Sequence, residues 1–482
     1  MSKTGKIGRR AFVGALATAA GGLPLLAEDE PIRKKPASAQ GEVCSKSIPV
    51  AYEADVFVAG GGPAGVCAAL AAARAGKRVF LAETSGAFGG AATASYVPAF
   101  APFRDGVHDI VGGIGREIRD QISKDCPIDT YWTPIDLEEL KRVYDRLVTE
   151  AGIRFSFFTS VCDAVAKDGH IDHVILACKR GLLAVRARIY IDCTGDGDML
   201  AFAGGAYEMG DNEGAVMPPT LCSQWVDIDF SQPRPYVHGL LVKAIEEGLF
   251  SVPDYHLPGI FSGPHKDSSL GRGNVGHTFG VNPTDERSLT AAMIDARRRM
   301  PEYERFYTGY VKGYEKARLA STAPFLGIRE SRRIVCDYML NVKDFVKRAV
   351  FPDEIGRYCY PVDIHISKPG DRAAYKAFLK EYERDLRYKK GESYGIPYRS
   401  LVPKSFSNAL VAGRCMGTDR KMQASVRVMP GCFITGQAAG TAAALAVDSG
   451  DVRTVKPDEL RARLSAAGAY LPQQEQKREM SS

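Results

Sequence analysis

The chain has 482 residues, 45% hydrophobic and 25% charged, which is enough for two or three domains around large buried cores. Its net charge of +6 is uneven: the segment from Met1 to Ala39 holds seven basic and three acidic side chains, so the remainder is close to neutral. That balance excludes the concentrated basic face that phosphate backbones require.

Positions 1–39 read as an address and linker. Lys3, Lys6, Arg9 and Arg10 precede an Ala/Gly/Leu stretch from Ala11 to Ala27, which is too short and too rich in glycine for a membrane span of about 20 residues. The Arg9-Arg10-Ala11-Phe12 order resembles a twin-arginine export signal, and small residues at Ala27 or at Ala37-Ser38-Ala39 offer cleavage points. The expected location is the periplasm or cell envelope. Eleven scattered cysteines without a C-x-x-C pair argue against a disulfide framework, a pattern compatible with export of an already folded chain. The eight histidines show no zinc-ligand spacing, so no metal site is expected.

Asp55 to Ala59 is a short apolar run typical of a buried parallel strand, followed by a glycine turn and an alanine-rich helix that ends near Gly76. Arg78 to Ala82 supplies the next strand, completing a βαβ unit. Within the turn, Gly60, Gly62 and Gly65 satisfy G-x-G-x-x-G, and with Pro63 and Ala64 they open the helix. Such a turn lets the backbone approach a diphosphate, which the helix amides then face. Glu83, at the end of the second strand, is placed to bind the adenosine ribose of FAD or NAD. A capped helix is predicted from Asp136 to Ala151, then several strands between Arg154 and Tyr190 with a turn at Lys167-Asp168-Gly169. The 216–390 segment is richer in aromatic and charged residues and contains a helix from Ser288 to Met300. A strand over ALVAG and a small-residue helix over TGQAAGTAAALA then return the chain to the first domain.

Several further segments carry a family resemblance. They are Phe88-Gly89-Gly90-Ala91-Ala92-Thr93, IDCTGDGD at Ile191 to Asp198, GIRESRR at Gly327 to Arg333 and YPVDIH at Tyr360 to His365. IPYRSLVPK, NALVAGRC and SVRVMPGCFITGQAAGTAAA follow in that order near the end. Together they resemble the FAD-dependent oxidoreductases of the two-dinucleotide-binding type, a group that includes the fumarate reductase flavoproteins. The resemblance spans roughly residues 52 to 447. It implies an α/β fold: a doubly wound, Rossmann-like FAD-binding domain (50–215 and 391–450) with an inserted α+β substrate domain (216–390) and a polar tail (451–482). It also implies cofactor contacts from Gly60, Gly62, Pro63, Ala64, Gly65, Glu83, Gly89, Gly90, Ala91, Thr194, Gly195, Asp196, Gly413, Arg414, Gly431 and Cys432. Relatives with covalent flavin carry a histidine shortly after the ribose acid; here Thr84, Ser85 and Gly86 occupy that stretch, so FAD is expected to be noncovalent. The dicarboxylate motifs of fumarate reductase are not recognisable.

The expected reaction is hydride transfer between FAD and a small organic substrate, with reoxidation by an electron carrier or oxygen that no motif identifies. Candidate catalytic residues are His365 as base, Arg329 and Arg332 as anchors for an anion, and Tyr398 and Arg399 beside the C-terminal segment. An Arg/Glu network joining the two domains is the competing role for residues 329–333. A redox-neutral isomerase or lyase and a non-catalytic nucleotide-binding protein are the alternative functions. Neither nucleic acid nor an integral membrane span is expected, and no motif specifies an oligomeric state.

Overall fold

The computed structural model describes residues 46–123, 131–233, 236–256, 259–262 and 268–472; the export signal expected at the N-terminus lies outside this set. Strand β1 (Val50–Ala59) leads through the glycine turn into helix α1 (Pro63–Arg74), and β2 (Val79–Ala82) returns parallel to β1 with Val56 opposite Val79 and Ala59 opposite Ala82. The inward residues Val56, Phe57 and Val58 have no exposed surface, as expected of a strand covered on both faces. Helix α2 (Leu137–Glu150) is capped by the Asp136 carboxylate, which accepts from the amides of Glu138 and Glu139. Next come β3 (Arg154–Ser156), β4 (Ser160–Lys167), β5 (His170–Cys178) and β6 (Gly181–Asp192). The turn between β4 and β5 sits at Asp168 and Gly169, both with positive φ.

These strands form one sheet in the order β3-β2-β1-β6-β5-β4. Strand β6 is long enough to change partners on one side: its first residues pair antiparallel with β5, while Tyr190–Asp192 pair parallel with β11 (Ala409–Val411). Between β6 and β11 the chain builds a second unit with its own core. Strands β7 (Ser223–Val226), β8 (Gly259–Ser262), β9 (Gly271–Asn274) and β10 (Arg318–Thr322) form an antiparallel sheet in the order β8-β9-β7-β10. Helices α3 (Val237–Glu246) and α4 (Glu286–Tyr310) belong to the same unit. Its core, with Trp225, Phe250, Tyr303, Phe306 and Tyr307, spans only residues 221–326; residues from Ile334 onward join the core of the first sheet.

Two expectations change here. Helix α4 does not stop at Met300 but runs through Pro301 to Tyr310. Proline removes one amide donor, yet burial of Tyr303, Phe306 and Tyr307 beyond it holds the helix on course. The residues after 450 are also not simply a polar tail. Helix α6 (Pro457–Ala466) buries Leu460 and Leu464 against the first core, because its apolar residues recur four apart on one face.

Helix α5 (Met429–Ala446) has almost no exposed surface and packs against α1. A Cβ at Gly436 would lie 2.2 Å from the Ala64 carbonyl oxygen, and one at Gly440 would lie 2.1 Å from that of Ala68. The glycines therefore permit backbone-to-backbone contact between α1 and α5.

The segments that enter and leave the second unit are held to the first by Glu330, which has no exposed surface. Its carboxylate accepts from the Met217 amide at 2.7 Å, the Arg333 guanidinium at 2.9 Å and Arg420 Nε at 3.0 Å. Removing it leaves Arg333 and Arg420 with only their longer carboxylate contacts, to Glu208 at 3.7 Å and Asp211 at 3.9 Å. Glu330→Ala is expected to lower the unfolding free energy by about 3–5 kcal/mol, measured by urea denaturation; a change below about 1 kcal/mol would show the network to be dispensable.

Candidate active site

The nucleotide loop is built by close contacts. Gly60, at φ +92°, sits where a Cβ would meet the Cys193 carbonyl oxygen at 2.6 Å, and a Cβ on Gly65 would lie 1.8 Å from the Gly60 oxygen. Gly62 is different: its φ of −68° suits any residue, and a Cβ there meets no protein atom within 4 Å. Protein packing therefore leaves room at Gly62, beside an α1 N-terminus that no side chain caps. A diphosphate fits that opening, since it takes up the backbone amides and needs the space.

Glu83 is poised for a ribose. Its carboxylate is held by the Gly61 amide at 2.7 Å on one oxygen and the Ser85 amide at 2.7 Å on the other, leaving lone pairs for two hydroxyls. The Gly89-Gly90 turn docks on the same loop, with the Gly89 amide donating to the Gly61 oxygen at 2.9 Å; Ala91 follows in the same turn. At the end of β6, the Asp192 carboxylate accepts from the amide and hydroxyl of Thr194 and from the Leu200 amide. Burial raises the Asp192 pKa, while these hydrogen bonds favour its ionised form. Asp196 pairs with Arg414 at 2.9 Å, and Arg414 also reaches the Ser331 hydroxyl at 3.0 Å. Gly413 donates its amide to the Thr435 hydroxyl at 3.2 Å, so the ALVAGRC segment rests on α5. No side chain caps the N-terminus of α5 at Met429-Pro430-Gly431. Burial pushes the Cys432 thiol up to about 12, and its sulfur contacts the Arg427 carbonyl oxygen, so it is a packing residue and not a nucleophile.

The proposed catalytic residues separate. Tyr398 is buried with its hydroxyl on the Val452 carbonyl oxygen at 2.9 Å, and Arg399 pairs with Asp353 at 2.9 Å; both brace the 3-10 turn that holds them. Arg332 binds Asp198 at 2.7 Å and the Asp196 carbonyl oxygen at 3.2 Å, and stacks over Tyr207, so it supports the Thr194–Asp198 turn instead of anchoring a substrate. With Glu330 and Arg333, it realises the structural network that was the competing reading of this segment. The run Arg329-Glu330-Ser331-Arg332-Arg333 gave by itself no means of separating Arg329 from these neighbours.

Arg329 and His365 remain, and the fold adds partners that local spacing could not show. His277 Nδ1 lies 3.0 Å from Asp254, His277 Nε2 lies 2.9 Å from His365 Nδ1, and His365 Nε2 lies 3.2 Å from Asp363. Asp254 also accepts the backbone amides of His256 and His277. The His256 ring lies against that of His365, with centroids 4.0 Å apart and planes inclined at 36°. Arg427, one residue before the N-cap of α5, donates to the Asp363 carbonyl oxygen at 3.2 Å. The cluster thus joins the loop before β8, the segment after β9 and the YPVDIH run to the start of α5. The expectation of no metal site rested on spacing along the chain, whereas the imidazoles assembled here come from positions 256, 277 and 365.

Electrostatics follow from this crowding. Burial, then Arg427, pushes the Arg329 guanidinium down to about 10; its acceptors are the Pro218 carbonyl, the Thr220 hydroxyl and the Asn274 amide oxygen, all uncharged. Burial, then His277, pushes His256 down to about 4, and burial with His256 and Arg329 holds His365 well below the usual histidine range. Burial opposes ionisation of Asp254 and Asp363, but His277 at the first and His365 and Arg427 at the second outweigh it and hold both carboxyls low.

A mixed sheet with a parallel β3-β2-β1-β6 half, a glycine turn with space for a diphosphate and an acid at the end of the second strand are the features of a dinucleotide-binding fold. The chain matches the family described as FAD dependent oxidoreductase over residues 55–464, and it belongs to that family: it is an FAD-dependent oxidoreductase. No curated protein is similar to it in sequence. Among solved structures it is similar to a geranylgeranyl bacteriochlorophyll reductase-like protein from Thermoplasma acidophilum at 12% identity and a TM-score of 0.45, covering 87% of this chain and 84% of that one. The flavin-dependent brominase Bmp2 gives 12% identity, 86% and 83% coverage and a TM-score of 0.44. A p-nitrophenol 4-monooxygenase from Pseudomonas putida gives 13%, 89%, 93% and 0.43.

The contrast between two glycines tests the nucleotide loop. Gly62→Ala is expected to fold with an unchanged melting temperature in the absence of FAD but to bind FAD at least about tenfold more weakly, whereas Gly65→Ala is expected to give no folded protein. Circular dichroism and flavin titration measure the two outcomes.

Proposed function

We propose that this protein transfers a hydride between noncovalently held FAD and a small anionic organic substrate seated between the two cores. The observation that supports this most directly is Arg329: a guanidinium 7% exposed, with uncharged acceptors only, beside a histidine cluster that adjoins the start of α5. A buried cation without a carboxylate partner among the described residues is suited to a carboxylate delivered by a ligand. Bound FAD would supply the two-electron chemistry. Gly60–Gly65 would hold its diphosphate and Glu83 its ribose, while Thr194, Gly195 and Gly413 line the groove towards α5. The uncapped start of α5 would favour negative charge on the flavin's pyrimidine edge. Arg329 and Arg427 orient the substrate's anionic end, and the imidazole cluster draws off the proton that leaves its hydroxyl or amine.

Noncovalent attachment is supported by Thr84, Ser85 and Gly86 in place of a flavin-linking histidine. Export to the envelope as a folded, flavin-loaded chain belongs to the same proposal. It is supported by the Arg9-Arg10 signal pattern and by nine described cysteines that are all free.

Anaerobic bleaching of the bound flavin by hydroxy acids, amino acids and neutral sugars tests the reaction. Reduction by anionic members is expected. Arg329→Met, which replaces a buried charge by an apolar chain of similar reach, should keep the fold and lower kcat/KM for those substrates by about 10²–10³-fold. A panel in which neutral sugars reduce the flavin as fast in the variant as in the parent, with no anion active, overturns this assignment.

A further inference from the structure

A neutral imidazole carries one N–H. His277 and His365 each present one ring nitrogen to a carboxylate, Asp254 and Asp363, which as ions accept only. With those N–H groups so used, the remaining nitrogens, His277 Nε2 and His365 Nδ1, both carry lone pairs and face each other at 2.9 Å. Two lone pairs at that distance repel unless a cation stands at the point where they converge. Either a third proton or a metal ion can fill that role.

The surroundings distinguish the two. A shared proton needs two rings, whereas a third, His256, also brings a ring nitrogen to the same point: the three ligand atoms lie within 4.8 Å of one another. No side chain among the described residues hydrogen-bonds the His256 ring, while its backbone amide is fixed by Asp254 at 3.0 Å. Nitrogens bound tetrahedrally to one zinc at about 2.0–2.1 Å are about 3.3 Å apart, a spacing close to the 2.9 Å between His277 Nε2 and His365 Nδ1 and inside the 4.8 Å that encloses all three ligand atoms. The carboxylates behind His277 and His365 are the outer partners that fix tautomer and ring direction in histidine metal sites.

We propose that His256, His277 and His365 form a three-imidazole site for a divalent transition metal of the zinc type, with Asp254 and Asp363 as its positioning residues. Three nitrogen ligands leave a coordination position open. Resting on the reading above, that position faces the substrate's hydroxyl or amine beside Arg329: the ion would lower that group's pKa in place of an imidazole base, and the proton released would pass to solvent. The ion would itself undergo no redox change.

The full flavin-loaded chain serves for the test. After dialysis against a chelator, Zn²⁺ titration followed by elemental analysis is expected to restore about one ion per chain. Co²⁺ should give ligand-field bands at wavelengths beyond the flavin absorption. His277→Ala with His365→Ala should abolish both signals. Asp254→Asn, which keeps all three ligands and an acceptor for one of the two backbone amides, should weaken Zn²⁺ binding by about 10–100-fold. Flavin content and melting temperature identify any variant that has merely misfolded; Asp254→Asn then carries the comparison. Zn²⁺ binding by the parent no tighter than by a folded double variant overturns the metal site and leaves a proton-sharing histidine pair. Because metal content is read without turnover, that failure is separate from a flavin that no substrate reduces.

Discussion

The contact on which the molecule depends is the approach of α5 to α1, backbone against backbone, at Gly436 and Gly440. Helix α1 begins at the glycine loop, and the first turns of α5 lie directly against it at Ala64. Any side chain between them would separate α5 from that loop. Their contact is made of small residues that contribute little apolar area each, so the cost of displacing it is steric more than hydrophobic. The rest of the nucleotide domain is arranged to keep that contact: β11 pairs with β6 directly before the chain turns into α5, and Thr435 holds the connecting turn.

The second unit is placed differently. It has its own aromatic core around Trp225 and Tyr307, and polar groups stand where it meets the first: Glu330 holds the connecting segments with three donors, and the Asp254–Asp363 chain runs from one unit to the other. Polar joints of this kind are costly to form imperfectly and specific in geometry, which is the character a substrate site needs. Interiors fix the two bodies, and the ionised groups between them fix the chemistry.

Much of the nucleotide half was legible in the sequence because its signals are local. A strand, three glycines, a helix and an acid follow one another between Asp55 and Glu83, and each has a steric or electrostatic reason that acts over one or two turns. The second half was less legible. Helix α4 outlasted its proline because of burial that only the tertiary structure supplies, and α6 was hidden in a charged segment by two leucines spaced four apart. For the active site, Arg329 and Arg332 are indistinguishable by type and neighbourhood; the direction of each side chain, decided by the short strand pairing at 332–334, separates them. His256 and His277 carried no signal, since the property that unites them with His365 is proximity between segments far apart along the chain.

The change of partners along β6 has a consequence for how the protein comes into being. Tyr190–Asp192 wait for Ala409–Val411, which lie beyond the whole second unit, and Asn408 closes the same region by pairing its side-chain amide with the backbone of Ile171. On a ribosome the groove would stand open along one side until nearly all of the chain had emerged, with the second unit already made in between. Such separation in sequence implies slow, late closure. The cofactor is thus expected to meet a site that completes itself last, making flavin capture the final step of folding and not its nucleus.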